Sequence, residues 1–440
     1  MGGVRRVRTA AAAALAALGL VAALPGAADA DTAPQPVPAY RGADGARAVT
    51  GKPSTAGAPE LKAGSVYKDS MAPGERYYRL YLDDSSTVYV SAVLQPPGGA
   101  KVSYSDGLEV NVLDIENHGC LGSPGRASFG YDPAPLSAVG ARILKEDAEC
   151  QGVGTYYVKV TREMGKGGDT ADWPLELRVQ REPKLGGAAA GPTSAPSVWP
   201  SASPTLPGSD AAARSGGTGF NDARALDTGV WSDALRPGQT RFYRVPLDWG
   251  QQLGLAAELS AGKPTMDSGY ASPGLSVSLY SPYRSLIDAE DTSYDGKQAG
   301  LTLPRTAPVA YENRFASDRK VGAVRVAGWY YVAVTMAGKV GEFIQDAVPV
   351  PLTLRTQIIG TPGKAPAYAE DLGAAGFGVG TEDRTAAKEG TTAVEADAAA
   401  ANRSVMRVVA GAGFGTGTLL LLVLGGWILL ARRRAPQDRH

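Results

Sequence analysis

The side chains that carry most nucleophilic and metal chemistry are scarce: the chain has two histidines, His118 and His440, and two cysteines, Cys120 and Cys150. A serine or cysteine hydrolase needs a base beside its nucleophile, and His440 is the final residue, which leaves His118 alone for that work. No Gly-x-Ser-x-Gly elbow, His-Glu-x-x-His helix or phosphate-binding glycine loop is present. Ser65-Val66-Tyr67-Lys68 and Ser317-Asp318-Arg319-Lys320 match the Ser-x-x-Lys pattern of penicillin-binding enzymes, but the Ser-Asp-Asn and Lys-Thr-Gly partners are missing. The expectation is a protein that is not an enzyme. His118 lies near Asp114, Glu116 and Cys120, so a metal can be imagined there, although a loop histidine beside a disulfide explains it more simply. Asp83-Asp84, and Asp288 with Glu290 and Asp291, could offer oxygens to calcium, but no loop has a fixed ligand spacing and solvated turn acids are the plainer reading. No cofactor is expected, with calcium as the alternative.

Cys120 and Cys150 form an even pair in a chain that reads as exported, which favours a disulfide over a metal site. Closing a loop of about 30 residues stabilises by ~3 to 4 kcal/mol in the chain-entropy account. For binding, aromatic residues are the strongest candidates. If Tyr78, Leu80 and Leu82 face a core, Tyr77 and Tyr81 point outward, and Tyr89 can share that face from the next strand. Such a row can stack on sugar rings or receive a protein, or simply pair across a sheet.

These residues must be positioned by β-structure that occurs twice. Pro73-Gly74-Glu75 leads into Arg76-Tyr77-Tyr78-Arg79-Leu80-Tyr81-Leu82-Asp83, and Pro237-Gly238-Gln239 leads into Arg241-Phe242-Tyr243-Arg244-Val245-Pro246-Leu247-Asp248. Val88, Val90, Ala92 and Leu94 alternate with other residues, as do Leu253, Leu255, Ala257 and Leu259, which is the period of a strand with one core face. Leu108–Leu113 answers to Leu275–Tyr280, Gly154–Val160 to Gly328–Val334, and Pro174–Val179 to Pro351–Arg355. Turn residues between short strands, with no amphipathic helix, favour packed antiparallel sheets. The fold expected is all-β: two tandem jelly-roll-like β-sandwiches, residues 59–182 and 220–360. Between and around them, residues 31–58, 183–219 and 361–404 have linker composition, the last reading as a flexible stalk.

The two ends suggest where the chain works. Residues 1–30 carry Arg5, Arg6 and Arg8, an apolar run from Ala10 to Leu24, and Ala28-Asp29-Ala30, the pattern of a cleaved signal peptide. Residues 405–431 read as a transmembrane helix, since Val408 to Ala431 is free of charge and ~20 apolar residues suffice to span a bilayer. Arg432, Arg433 and Arg434 follow as a stop-transfer cluster and begin a cytoplasmic tail, 432–440. Gly411 and Gly415 give a Gly-x-x-x-Gly pattern that permits helix packing and a homodimer. A single-pass protein of the cell membrane with most of its chain outside follows. The 44 basic and 44 acidic residues leave no net charge, which argues against nucleic acid as a partner.

The Pro-Gly turn before an aromatic strand ending in Leu-Asp, the central Leu-x-Val-x-Val/Leu strand and the late Gly-x-Tyr-Tyr-Val-x-Val strand resemble the bacterial pre-peptidase C-terminal domain. The resemblance runs from near Leu61 to Val179 and from Ala225 to Arg355, and the residue bias is similar to that of actinobacterial membrane-anchored proteins. It implies a sandwich without catalytic residues that helps secreted enzymes bind substrates or surfaces. No protease domain precedes either copy, so a non-catalytic surface protein that presents two binding or scaffold domains to an envelope protein or cell-wall polymer is expected. The alternative is the membrane-anchored accessory subunit of an extracellular hydrolase, or such a hydrolase itself.

Overall fold

The turn before each aromatic strand needs a backbone that L side chains rarely adopt, and glycine supplies it: Gly74 has φ 122° and Gly238 φ 75°. A computed structural model describes residues 37–129, 133–145, 149–187, 194–202 and 205–396, together with 398, 424, 425 and 427. The expected signal peptide, the packing glycines Gly411 and Gly415 and the arginines Arg432, Arg433 and Arg434 lie outside the described residues. So does most of the expected span; among the described residues no helix is long and apolar enough to cross a membrane.

The first half contains β1 (Arg47–Ala48), β2 (Val66–Met71), β3 (Gly74–Leu82), β4 (Ser86–Leu94), β5 (Gly107–Leu113), β6 (Gly125–Ser128), β7 (Leu136–Arg142), β8 (Gly154–Glu163) and β9 (Trp173–Pro183). They form two sheets, ordered β1-β2-β9-β4-β7 and β3-β8-β5-β6. The second half contains β10 (Ala212–Ala213), β11 (Arg224–Ala225), β12 (Gly229–Leu235), β13 (Thr240–Leu247), β14 (Gln252–Leu259), β15 (Ala271–Tyr280), β16 (Leu286–Tyr294), β17 (Ala299–Leu303), β18 (Gly328–Met336) and β19 (Val350–Ile359). Its sheets run β10-β12-β19-β14-β17 and β11-β13-β18-β15-β16. Apart from β11, which has no counterpart strand in the first half, the two orders correspond, and most consecutive strands cross between the sheets, as in a sandwich. Each pair of sheets encloses its own core: Tyr78, Leu80 and Leu82 meet Val90, Leu177 and Trp173 in the first, and Tyr243, Val245 and Leu247 meet Leu255, Leu354 and Tyr330 in the second.

The repeat extends further than the matched strands. Asp69 Oδ2 accepts from the Tyr78 hydroxyl and the Gly51 amide, both at 2.8 Å. Asp233 Oδ2 does the same for the Tyr243 hydroxyl at 2.6 Å and the Gly216 amide at 2.8 Å. A Cβ on Gly51 would stand 2.7 Å from Tyr78, and one on Gly216 would stand 2.8 Å from Tyr243, so only glycine lets the arm pass over the ring. These arms lie in stretches of linker composition, but hydrogen bonds and a few partly buried side chains such as Val49 hold them in place.

Two segments expected to be tethers have structure. Within 183–219, the Pro200 carbonyl accepts from Gln252 and Pro207 accepts from Arg355, so this stretch lies on the second sandwich. Within 361–404, the expected stalk, residues 361–396 are docked. Tyr368 bridges to Leu185 in antiparallel register, Phe377 is buried in the second core, and a helix spans Thr381–Glu389. Asp383 accepts from the Gly380 amide to cap that helix, and Gly390 ends it at φ 71°. A few aromatic anchors and backbone bonds are enough to order a segment whose average composition is small and polar.

Candidate functional site

The alternation in β3 places its side chains as expected. Tyr78, Leu80 and Leu82 are buried, Tyr81 is 68% exposed, and Tyr77 is half-buried with its hydroxyl donating to Glu75 at 2.9 Å. Tyr89 does not join them. It belongs to β4, which crosses to the opposite sheet, and it is 1% exposed. Its ring stacks on Tyr283 of the second sandwich at 4.0 Å, and its hydroxyl donates to Glu182 at 2.6 Å. The outward aromatic surface therefore reduces to Tyr77 and Tyr81.

Cys120 and Cys150 are joined, as expected. Beside them Asp114, Glu116 and His118 come within 4.8 Å of one another. Asp114 Oδ1 already accepts from the Glu116 and His118 amides, which is the bonding of a turn, and the His118 side chain is 69% exposed. Asp83 accepts from Ser85 and Ser86, again a turn, while Asp288 pairs with Lys320 at 2.6 Å. Alternation on β16 puts Asp291 on the face opposite Asp288 and Glu290, so the three do not converge.

What the sequence did not reveal is the seam between the sandwiches. The outer face of β4, β7 and β9 packs on the outer face of β13, β15 and β18: Val93 meets Phe220, Phe242, Tyr280 and Ala333. Consequently every residue of β4 and β7 is buried, on both faces. Polar groups in such a seam must be paired. Glu176 on β9 and Arg284 in the β15–β16 turn, each 2% exposed, form an ion pair at 2.5 Å. Glu176 also accepts from the Ala43 amide at 2.7 Å and from Asn221 at 2.9 Å. Burial pushes its carboxyl up, but the Arg284 charge and these hydrogen bonds outweigh burial and hold it below the usual range.

Glu182, at the end of β9, joins three parts of the chain. It accepts from Tyr89 of the first sandwich at 2.6 Å, from Arg314 of the second at 2.6 Å and from Tyr368 of the docked segment at 2.8 Å. Burial works against the Arg314 charge, but Glu182 and the nearby tyrosines more than offset it and raise the arginine's pKa. Burial likewise raises the Tyr368 hydroxyl, which stays a donor.

Beside the seam is a cleft of about 1350 Å³. Its floor is basic and aromatic, with Arg178 of β9, Arg244 of β13, Arg284, Phe220, Trp329 and Tyr331. Arg244 lies over the Trp329 ring at 4.1 Å. The docked segment covers the cleft: Trp329 donates to Asp383 at 2.9 Å, Arg384 pairs with Asp248 at 2.5 Å, and the Gly378 amide bonds Ala327 at 2.7 Å. Charged residues at outward strand positions, which in sequence look like ordinary solvated side chains, thus line both the seam and the cleft.

No protein-family model and no curated protein matches the chain. Among solved structures, the chain is similar to the pre-peptidase C-terminal domain of a Bacillus anthracis collagenase at 17% identity. That match covers 28% of this chain and 94% of that domain, with a TM-score of 0.18. The tandem CBM22 domains of Paenibacillus barcinonensis Xyn10C match at 10% identity over 68% of this chain and 92% of theirs, with a TM-score of 0.17. At these scores the likenesses carry no argument about ligand or activity, and the sandwich-like, mostly β architecture rests on the strand order itself.

Proposed function

We propose that the chain is a non-catalytic protein, exported and held in the cell membrane by one span, that presents its two sandwiches outside the cell as a single rigid binding or scaffold module. The observation that carries this reading is the seam: two ion pairs with side chains at most 3% exposed join the sandwiches and leave an outer face of the first one open. That open face is β3, β8 and β5, the counterpart of the face by which the second sandwich receives the first. Tyr77, Arg79 and Tyr157 stand where Phe242, Arg244 and Tyr331 stand in the repeat. Tyr81, exposed on the same strand, adds an aromatic surface suited to an envelope protein or cell-wall polymer.

The test is capture from envelope extract by the full-length protein and by Tyr81→Ser. The wild type should retain one component, and the variant should retain it roughly tenfold more weakly, the loss of one contact of about 1.4 kcal/mol. Recovery of no component, or hydrolysis by the purified protein that His118→Ala abolishes, would contradict the reading.

A further inference from the structure

The cleft floor holds a charge without a partner. Of its three arginines, Arg284 is matched to Glu176 and Arg244 stacks on Trp329. The Arg178 side chain makes no hydrogen bond and no ion pair among the described residues, and its Nε is shut off from solvent without an acceptor. Its position follows from the strand pattern: Leu177 and Val179 point into the first core, so Arg178 points out of the sandwich and toward the cleft. Burial, together with the neighbouring Arg284 charge, disfavours its cationic form. An unpaired, partly desolvated guanidinium is costly, and a fork of N–H donors is matched by two oxygens of a carboxylate or phosphate.

The repeat shows that this is not a general feature of the fold. Arg355 occupies the corresponding place on β19, and it donates to the Pro207 carbonyl at 2.9 Å, so the linker satisfies it. In the first sandwich the N-terminal arm bonds β9 at Glu176, through the Ala43 amide, and no carbonyl of it accepts from Arg178 among the described residues; the cleft is there instead. Carboxylates outnumber the arginines in the lining, among them Asp371 and Glu389, while Asp248 is paired with Arg384 and Asp383 accepts from Trp329; the unneutralised ones would repel a polyanion. The volume exceeds the ~300 to 1,000 Å³ typical of small-molecule sites. There is room for a short peptide or a phosphorylated sugar, and Arg178 offers its one guanidinium to one anionic group.

We propose that the cleft is a binding site for a small molecule bearing a single oxyanion group, carboxylate or phosphate, held by the guanidinium of Arg178. This goes beyond the scaffold reading and is independent of it, since the cleft lies away from the Tyr81 face.

The experiment is thermal unfolding of the full-length protein, followed by tryptophan fluorescence at matched ionic strength, with inorganic phosphate, N-acetyl-alanyl-alanine and the C-terminal amide of that dipeptide. At about 10 mM, phosphate, the dipeptide acid or both should raise Tm by roughly 2 °C or more, and the amide should not. The stronger of the two identifies the source of the oxyanion. The shift should vanish in Arg178→Gln and persist in Arg355→Gln. Arg178→Lys, which keeps the charge but not the fork, should need at least about tenfold more ligand for the same shift. No rise beyond that given by sodium chloride, an equal response to the amide, or a response unchanged in Arg178→Gln would overturn the proposal. A failure here would leave capture through Tyr81 untouched, so the two readings fall separately.

Discussion

Replacing Arg284 by methionine tests the seam where its energetics are sharpest. The substitution keeps most of the side-chain volume but leaves the Glu176 carboxylate buried, with 2% of its side chain exposed. Removing one partner of a buried ion pair costs about 3 to 5 kcal/mol. Glu176 retains the Ala43 amide at 2.7 Å and Asn221 at 2.9 Å, so the low end, about 3 kcal/mol, is expected. For a folded region larger than 250 residues, at about 2 °C per kcal/mol, Tm should fall by roughly 6 °C. Urea unfolding of the full-length protein, followed by tryptophan fluorescence, measures the loss directly. The double variant Arg284→Met, Glu176→Met should recover most of it, because an apolar pair of similar size no longer carries a stranded charge. If Arg284→Met lies within about 0.5 kcal/mol of wild type, the pair is solvated and the seam is not closed as described.

Three further outcomes follow from named contacts. Glu182→Gln should destabilise by about 2 to 4 kcal/mol and expose residues 361–396 to protease, because it removes the charge that pairs with Arg314 and leaves one acceptor oxygen for the Tyr89, Arg314 and Tyr368 donors; unchanged cleavage would refute the docking of that segment. Glu176 has a folded pKa below its unfolded value of about 4.3, so the stability it contributes is full above that pH and is lost as pH falls through the folded value. The Tm gap between wild type and Glu176→Gln should therefore be constant at neutral pH and close below about pH 4; a gap independent of pH down to 2.5 would contradict it. Finally, Cys120→Ser with Cys150→Ser should cost about 3 kcal/mol, measured by urea unfolding, because the bond closes a loop with a sequence separation of 30; a cost below about 1 kcal/mol would show that the loop is already held by other contacts.

The strands and their duplication were legible because burial of one face imposes a period of two, and Tyr78, Leu80 and Leu82 report it faithfully. That signal describes one face only. Tyr89, Ser91 and Val93 alternate with the core residues of β4 and look like solvent positions, yet residues more than a hundred positions away cover them. Glu176, between Leu175 and Leu177, and Glu182, beyond Val179 at the end of β9, have the same disguise: outward charges on a strand are usually solvated, and only the partner sandwich makes them buried acceptors. The arms around Gly51 and Gly216 escaped for a different reason, since backbone donors to Asp69 and Asp233 leave no trace in composition. Residues 361–396 misled by their average: Tyr368, Leu372 and Phe377 are few, but each reaches the second core.

The central claim is that the sandwiches form one body, and a distance distribution tests it most directly. Nitroxide labels at Ile115→Cys and Met266→Cys, both exposed and one on each sandwich, can be read by pulsed electron spin resonance on the full-length protein. A closed seam predicts a single narrow distance peak that broadens in Arg284→Met. A broad distribution in the wild type, equal to that of the variant, would mean that the sandwiches move independently and would contradict the account.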